Sequence, residues 1–343
     1  MSQTIRVAVC GMGAAGRAHA VGAKAAGGFK IAGVADLISQ RRDAAAQEFA
    51  CQNAMDDAKK AVLDPNIDAV ILAVPTHLHA ELAIAALKSG KHVLIEFPPA
   101  ASAGEAKAIA RAQEKSGKVV LYSAARRFGA AEQSTRQAID KQFIGPVRHV
   151  RASLLRTRGV PHGTGWYHDR KTSGGGALID LGLPLIDFIQ SLLGSHAATT
   201  GFATGSSLKM KLAVEESASV LLRYASTDNP SDVVTVELSV AWAINQPPGQ
   251  AGLQMRVAGE KGAIDVYTPR GPELYRQFDD KGHAHASALK QPKVVGHTAL
   301  LRHFRACCLG TEQPVVGSAG GVELMERIES LYKSIDSGKS VNC

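Results

Sequence analysis

The sequence is poor in the patterns that mark disulfide-rich folds and metal sites. It has five cysteines in 343 residues: Cys10, Cys51, Cys307, Cys308 and Cys343. Their number is odd and they are scattered along the chain, which is typical of a protein from a reducing compartment. No CxxC pair and no cysteine–histidine cluster has the spacing of a zinc site. We therefore expect no disulfide framework and no bound metal.

Long apolar runs are also missing. The first six residues lead directly into an apolar strand and contain no leader-type core. No apolar run reaches the length that a bilayer requires. We therefore expect a cytoplasmic protein with no membrane partner.

Clusters of positive charge are absent, although the chain is basic. The net charge is +8, with 39 lysines and arginines against 31 acidic residues. These basic residues are spread out, and no lysine–arginine block contains interleaved aromatic residues. We therefore expect no nucleic-acid partner. The excess charge is interpreted as solvated surface, part of which could attract an anionic cofactor or substrate.

Strand and helix patterns alternate through residues 5–122. Such alternation is typical of parallel βαβ units with right-handed crossovers, and we predict an α/β domain here. Strands are predicted at 5–10, 31–35, 69–74, 92–95 and 119–122, and helices at 14–26, 40–49, 78–88 and 102–116.

A glycine motif lies between the first strand and the first helix. It reads GMGAAG and is followed by an acidic residue, Asp36, at the end of the next strand. Glycines in this context allow a tight turn, a close approach of a diphosphate and close packing of helix on strand. The free N–H groups and the dipole of the helix N-terminus favour phosphate. The cofactor-binding residues predicted here are Gly11, Met12, Gly13, Ala14, Ala15 and Gly16.

The same segment indicates which dinucleotide is bound. A carboxylate at Asp36 can accept hydrogen bonds from the adenosine ribose and would repel a 2′-phosphate, so NAD is favoured. Arg41 and Arg42 follow closely and could accommodate NADP, which stays possible. Ligands of such sheets lie beyond the carboxyl ends of the strands, where Val74, Pro75, Thr76 and His79 are predicted to lie beside the cofactor.

These residues, with others along the chain, resemble the Gfo/Idh/MocA oxidoreductase family. The matching segments are GMGAAGRAH at 11–19, VADL at 34–37, DAVILAVPTHLHAELAIAALKSGKHVLIEFP at 68–98, SGGGALIDLG at 173–182 and VAGEKGAIDVY at 257–267. The resemblance implies a Rossmann domain, placed at 1–122, and an α+β substrate and oligomerisation domain with a large, mostly antiparallel sheet at 123–343. The terminal helices are expected to pack back on the first domain.

Strand-like runs in the second half agree with that fold. They occupy 150–155, 218–224, 233–242 and a hairpin over 253–267 that turns at 259–262. Helices are predicted at 298–309 and 321–335. An exposed antiparallel sheet usually needs a cover, so we expect a homo-oligomer, either a dimer or a tetramer.

The chain departs from the family pattern at two positions. The family usually has Glu-Lys-Pro after the fourth strand, with the lysine as main catalytic group, whereas this chain has Glu96-Phe97-Pro98. The usual histidine of the later Asp-x-Gly-x-His motif is replaced by Pro184. Neither Phe97 nor Pro184 can transfer a proton. Because proline removes a backbone donor, we also predict a kink or restart of the helix near Gly182.

Several residues remain as candidates for the chemistry. Asp180, His168 and Tyr167 are the predicted catalytic groups, although a structural carboxylate is an alternative for Asp180. The resemblance places a tryptophan, Trp166, near the cofactor, and we add Glu96 and Phe97 to the cofactor contacts. The predicted substrate contacts are Arg126, Arg158, His162 and Pro184, where an arginine could clamp a carboxylate.

Two functions are compatible with this sequence. The first is an NAD(P)-dependent oxidoreductase acting on a polar small molecule: a sugar, a cyclitol, a hydroxy acid or a conjugated carbonyl compound. A variant of it uses NAD as a transient redox partner for a lyase or isomerase reaction. The second is a catalytically decayed NAD(H)- or metabolite-binding sensor or structural protein, which the substitutions at Phe97 and Pro184 favour. The intact glycine-rich elements favour the enzyme.

Overall fold

The computed structural model describes residues 3–157, 165–207, 212–245, 252–269, 274–285 and 293–343. The chain forms two compact units. The first consists of Met1–Phe128 and Val294–Met325, and the second of Gly129–Lys293 and Glu326–Cys343. The functional boundary near residue 122 stays a prediction.

The first unit is built on a six-stranded sheet in which every described pairing is parallel. All four residues of the strand Ala69–Leu72 are buried, as expected where helices cover both faces of a sheet. The predicted Rossmann-type α/β fold is therefore confirmed. Numbered along the chain, its strands are β1 (Ile5–Cys10), β2 (Phe29–Ala35), β3 (Ala54–Met55), β4 (Ala69–Leu72), β5 (His92–Ile95) and β6 (Val120–Tyr122). Their spatial order in the sheet is β3-β2-β1-β4-β5-β6.

The second unit contains a nine-stranded sheet. One pair, Val147–Leu155 with Val233–Ala241, is parallel and the other described pairs are antiparallel. The predicted large, mostly antiparallel sheet is confirmed, and its hairpin turns at 259–262 as expected. Numbered along the chain, its strands are β7 (Val147–Leu155), β8 (His196–Ser206), β9 (Ser217–Ser226), β10 (Val233–Ala241), β11 (Gly252–Gly259), β12 (Gly262–Pro269), β13 (Leu274–Asp279), β14 (Ala284–His285) and β15 (Val341–Asn342). Their spatial order in the sheet is β14-β13-β12-β11-β7-β10-β9-β8-β15.

Local signals account for several helix ends. The helix Ala103–Ser116 begins where the Ser102 hydroxyl accepts a hydrogen bond from the backbone N–H of Glu105, and it ends at Gly117 in the left-handed region, with φ of 64°. The α-helices of the described residues are α1 (Ala14–Ala26), α2 (Ser39–Glu48), α3 (Ala58–Leu63), α4 (His79–Lys88), α5 (Ala103–Ser116), α6 (Ala130–Asp140), α7 (Arg170–Ser173), α8 (Leu183–Leu192), α9 (Gly296–Cys308) and α10 (Ser318–Ser337).

The predicted irregularity near Gly182 is present. A π-helical turn covers Leu178–Gly182 and leads into α8, with Pro184 in the first turn of that helix. Proline has no backbone N–H to donate to the carbonyl four residues earlier, and the first turn of a helix tolerates this loss. The widened turn therefore gives Asp180 a backbone setting that a regular helix would not provide.

Among the described residues, one stretch is long and apolar enough to cross a membrane, namely Arg170–Leu192. This corrects the expectation that the chain contains no such segment. However, 78% of its most apolar part is buried inside the protein. Such burial is typical of a core helix, because a helix that packs inside a protein is as apolar as one that packs in lipid.

Candidate active site

The three glycines of the loop after β1 differ in how much room each has for a side chain. Gly11 has φ of 86°, and a Cβ there would lie 2.3 Å from the carbonyl oxygen of Ala73. A Cβ on Gly16 would lie 1.7 Å from the carbonyl oxygen of Gly11. By contrast, a Cβ on Gly13 would meet no atom within 4 Å. Gly11 and Gly16 are therefore needed for packing, whereas Gly13 borders open space.

The start of α1 leaves its first N–H groups available. Gly13 is the N-cap residue, and no side chain caps this end. Ala14 and Ala15 follow in the first turn, whose N–H groups have no partner within the helix. The positive end of the helix dipole also lies here, so the loop fits a diphosphate.

Asp36 braces the same loop. One carboxylate oxygen accepts a hydrogen bond from the N–H of Met12 at 2.7 Å, and the other accepts one from the N–H of Ile38 at 2.8 Å. An ionised carboxylate has about four acceptor positions, so these two bonds leave capacity for ribose hydroxyls. Arg41 lies nearby in α2 with its side chain exposed.

The residues that follow β4 and β5 are tied together by His79. Its side chain is buried, with Nδ1 3.0 Å from the carbonyl oxygen of Pro98 and Nε2 2.9 Å from that of Val74. Burial lowers the pKa of His79 despite these hydrogen bonds. Since both ring nitrogens face backbone carbonyls, its direct role here is to fix the two loops. A cofactor contact by His79 stays a prediction, as it does for the half-buried Pro75 and the buried Thr76.

Glu96 is the polar residue at the end of β5. Its Oε1 accepts a hydrogen bond from the N–H of Phe97 at 3.0 Å, and its Oε2 lies 2.5 Å from Nε2 of His19. Burial alone would raise the pKa of Glu96, but the hydrogen bond and the charge of His19 outweigh it and hold that pKa below its ordinary value. Phe97 itself is half-buried.

In the second unit, Asp180 lies within a cluster that no sequence motif indicates. Trp242 donates a hydrogen bond from its indole nitrogen to Oδ2 of Asp180 at 2.7 Å. The guanidinium of Arg156 lies 3.6 Å from the same oxygen. Burial raises the pKa of Asp180, and the charge of Arg156 and the hydrogen bond from Trp242 lower it by less. The result is a carboxyl that holds its proton more strongly than an exposed aspartate.

The sheet explains why these side chains meet. β7 and β10 are parallel neighbours, with Leu155 opposite Ala241, so Arg156 and Trp242 leave the sheet at the same edge. The N–H of Arg156 also donates to the carbonyl oxygen of Ala241 at 2.9 Å. The shared edge could have been found only by knowing that these two strands pair.

Glu215 holds the backbone that leads into the Asp180 turn. Its Oε1 accepts hydrogen bonds from the N–H groups of Gly176 and Leu178, at 3.1 and 2.9 Å, and from the Tyr332 hydroxyl at 2.9 Å. A Cβ on Gly176 would lie 2.0 Å from the carbonyl oxygen of Glu215, so this position needs glycine. Burial raises the pKa of Glu215.

The other predicted site residues lie on several elements. Trp166, Tyr167 and His168 form a short helical turn, Gly165–His168, in which the first two rings lie 3.8 Å apart. Nε2 of His168 is buried and has no hydrogen-bond partner among the described residues. Arg126 lies in the turn Ala125–Phe128 of the first unit, and Pro184 in α8 of the second. Arg158 and His162 lie outside the described residues.

Comparison with known families accounts for both halves of this arrangement. Residues 5–124 match the model described as "Oxidoreductase family, NAD-binding Rossmann fold", and residues 133–265 match the "GFO/IDH/MocA C-terminal domain". The chain belongs to the Gfo/Idh/MocA oxidoreductase family. The resemblance read from its sequence is therefore confirmed, together with an NAD-binding Rossmann fold.

Curated relatives of the chain include proteins that are named as dehydrogenases of a sugar derivative and of a cyclitol. D-glucoside 3-dehydrogenase from Escherichia coli is 30% identical over 197 residues, which cover 57% of this chain and 56% of the relative. scyllo-Inositol 2-dehydrogenase (NAD(+)) from Bacillus subtilis is also 30% identical over 197 residues, with the same coverage. The chain thus spans just over half the length of these curated relatives.

A solved structure shows the same fold over the full length. The WlbA dehydrogenase from Bordetella pertussis, crystallised with NADH and UDP-GlcNAcA, matches with a TM-score of 0.80 at 19% identity. The match covers 99% of this chain and 99% of that chain. At this identity the likeness concerns the fold.

Proposed function

We propose that this chain is an NAD(H)-dependent oxidoreductase that interconverts an alcohol and a carbonyl group on a polar small molecule, with sugars and cyclitols as the first class to test. The observation that carries the proposal is the partly desolvated carboxyl of Asp180, held by Trp242 and Arg156. The names of the relatives supply the substrate class.

The first unit would hold the dinucleotide. Open space over Gly13 and the uncapped start of α1 fit a diphosphate, and the spare acceptor capacity of Asp36 fits the adenosine ribose. A dinucleotide held there would supply a hydride acceptor in its oxidised form and a hydride donor in its reduced form. Asp36 would repel a 2′-phosphate, so NAD is the proposed form, and the exposed Arg41 is the residue that could accommodate NADP.

Asp180 would transfer the proton that alcohol oxidation releases. Both of its described contacts use Oδ2, which leaves Oδ1 as the oxygen that would accept the hydroxyl proton. A raised pKa brings a carboxyl closer to the ideal for acid–base catalysis near neutral pH. This assignment replaces the lysine and histidine that the family usually places at the positions of Phe97 and Pro184.

His168 and Tyr167 are the alternative proton carriers. The buried Nε2 of His168 has no described partner, so a bound ligand could supply one. An imidazole can both accept and donate a proton, so it suits either direction of the reaction. His168 is therefore tested beside Asp180.

The test is a substrate panel followed by absorbance of the reduced cofactor. Purified full-length chain is incubated with NAD or NADH and with sugars, cyclitols, hydroxy acids and unsaturated ketones. Asp180→Asn should lower kcat by about 10²- to 10⁴-fold, the usual contribution of one acid–base group, and leave the NADH Kd unchanged. His168→Ala is measured in parallel.

A matched control is Asp140→Asn, which removes an exposed carboxylate that also pairs with an arginine, Arg136. It should leave kcat unchanged. Full activity of Asp180→Asn would refute the role of this carboxyl. Tight NADH binding without turnover on any substrate class would refute the enzyme and favour a sensor.

A further inference from the structure

Three side chains with metal-binding chemistry meet inside the first unit. His19 lies on α1, Glu96 follows β5, and His297 lies in the first turn of α9. One ligand atom from each can be chosen so that all three lie within 4.8 Å of one another. The rings of His19 and His297 meet edge to face, with centroids 4.8 Å apart. Within the described part of the chain, this group combines two imidazoles with a carboxylate.

A glycine brings the two helices close enough for this meeting. Gly22 lies one turn after His19, so both residues lie on the same side of α1. A Cβ on Gly22 would lie 2.9 Å from the Cβ of His297 and 3.0 Å from its carbonyl carbon. Without a side chain at Gly22, the start of α9 can rest against α1. The proximity of His297 to His19 is thus built into the helix packing.

One polar atom in the cluster lacks a partner. His19 is fully buried, and its Nε2 lies 2.5 Å from Oε2 of Glu96. Its other ring nitrogen, Nδ1, is buried with no hydrogen-bond partner among the residues that the structure describes. Leaving a buried polar atom unsatisfied is unfavourable, so this imidazole is not fully satisfied by its protein surroundings.

We propose that His19, Glu96 and His297 form a binding site for a divalent transition-metal ion of the zinc class. Two imidazoles and one carboxylate are a ligand set that binds zinc and leaves a fourth position for water. Mg²⁺ and Ca²⁺ prefer oxygen ligands and fit this set poorly. Ligand atoms around tetrahedral zinc lie roughly 3.4 Å apart. Binding therefore requires side-chain rotations that widen the 2.5 Å contact between His19 and Glu96 and bring the more distant ligand atoms closer. Glu96, 24% exposed, and the half-buried His297 are the side chains that would adjust.

The site is distinct from the proposed proton transfer at Asp180. It shares only Glu96 with the predicted cofactor contacts, and Oε1 of Glu96 can continue to accept from the N–H of Phe97. A metal here would join α1, the end of β5 and α9. Its expected effect is therefore on the stability of the first unit, and it can be measured without any nicotinamide cofactor.

The experiment is calorimetric titration of chelator-treated full-length chain with Zn²⁺ in the absence of cofactor. We expect one zinc per chain, no comparable binding of Mg²⁺, and a higher Tm with zinc. Co²⁺ serves as the spectroscopic probe. Its spectrum should lack a sulfur-to-metal charge-transfer band, because the proposed ligands are nitrogen and oxygen and none is one of the five cysteines.

His297→Gln is the decisive variant, since it removes a half-buried ligand and leaves the contact between His19 and Glu96 in place. Its zinc affinity should fall by about 100-fold. Removing a residue that only hydrogen-bonds to a metal ligand already lowers metal affinity by about 10- to 100-fold, and His297 is proposed as a direct ligand. His149→Gln is the control, because His149 also pairs with a carboxylate, Glu237 at 3.1 Å, but on the exposed sheet of the second unit.

If His297→Gln unfolds, as circular dichroism would show, His19→Gln provides the second measurement of the same loss. The proposal is overturned by any of three results: no zinc binding, equal zinc affinity of the folded variant and the wild type, or a cobalt spectrum with a thiolate band. None of these results depends on dehydrogenase activity, so failure of this site and failure of the proposed function are distinguishable.

Discussion

Replacing Gly13 with alanine should separate cofactor binding from folding. Gly13 has φ of −70° and ψ of −166°, an extended conformation that alanine adopts without strain. A Cβ at this position would meet no protein atom within 4 Å. The added methyl group would instead project into the open space proposed for the diphosphate. The variant should therefore fold and bind NADH poorly.

Gly13→Ala should change the stability little and the NADH affinity strongly. Glycine-to-alanine at a compatible backbone stabilises by about 0.4–1 kcal/mol through the unfolded state. Alanine is a poorer N-cap than glycine, which costs a similar amount. The net change in the free energy of unfolding should thus lie within about 0.5 kcal/mol of zero. Losing one hydrogen bond to a charged phosphate costs about 1.5–3 kcal/mol, which weakens NADH binding by about 10- to 150-fold.

The assay combines urea unfolding with NADH fluorescence titration of the same preparations. Gly16→Ala is the contrasting variant, because its Cβ would lie 1.7 Å from the carbonyl oxygen of Gly11 and cannot be accommodated without backbone movement. It should lose about 1–3 kcal/mol of stability or more. Wild-type NADH affinity in a folded Gly13→Ala protein would refute this placement of the diphosphate.

Three further predictions concern the second unit. Burial raises the pKa of Asp180, so the folded chain holds this proton more tightly than the unfolded chain does. The contribution of Asp180 to the free energy of unfolding therefore falls as the pH rises from the ordinary aspartate pKa through the raised one. In thermal melts, the Tm of Asp180→Asn relative to wild type should therefore increase as the pH rises above about 4, and a constant difference would contradict a raised pKa. Trp242→Phe removes the 2.7 Å hydrogen bond to Asp180, so the pH profile of kcat/KM should move to higher pH, and an unchanged profile would exclude Asp180 as the titrating group. Glu215→Ala leaves the N–H of Leu178 and the hydroxyl of Tyr332 without their acceptor and should cost at least about 2 kcal/mol in chemical unfolding, whereas Glu215→Gln keeps an acceptor and should cost less.

The sequence predicted those parts of the fold that have strong local signals. The strand 5–10 and the helix 14–26 match β1 and α1 in full, because a continuous apolar run and an alanine-rich segment meet at a glycine turn. The two-residue strand Ala54–Met55 was missed, since so short a segment carries no periodicity. The helix Ala130–Asp140 was also missed, although its buried residues follow a helical spacing.

The candidate site was predictable only where its residues are close in sequence. Asp36 and the glycine loop follow one another along a single βαβ unit, so spacing alone connects them. Arg156 and Trp242 reach Asp180 from two strands whose pairing is parallel, and no spacing rule reports that pairing. His19, Glu96 and His297 likewise come from three distant segments, so the expectation of no metal, which rested on ligand spacing, could not take this cluster into account.

Calorimetric titration of the wild-type chain with NAD and with NADH measures whether the first unit holds a dinucleotide. We expect saturable binding of one dinucleotide per chain, because Asp36 is hydrogen-bonded to the glycine loop that leads into α1. We also expect tighter binding of NAD than of NADP, since Asp36 would face the 2′-phosphate. Absence of binding heat with either nicotinamide cofactor at several temperatures would show that the glycine loop and Asp36 do not bind a dinucleotide.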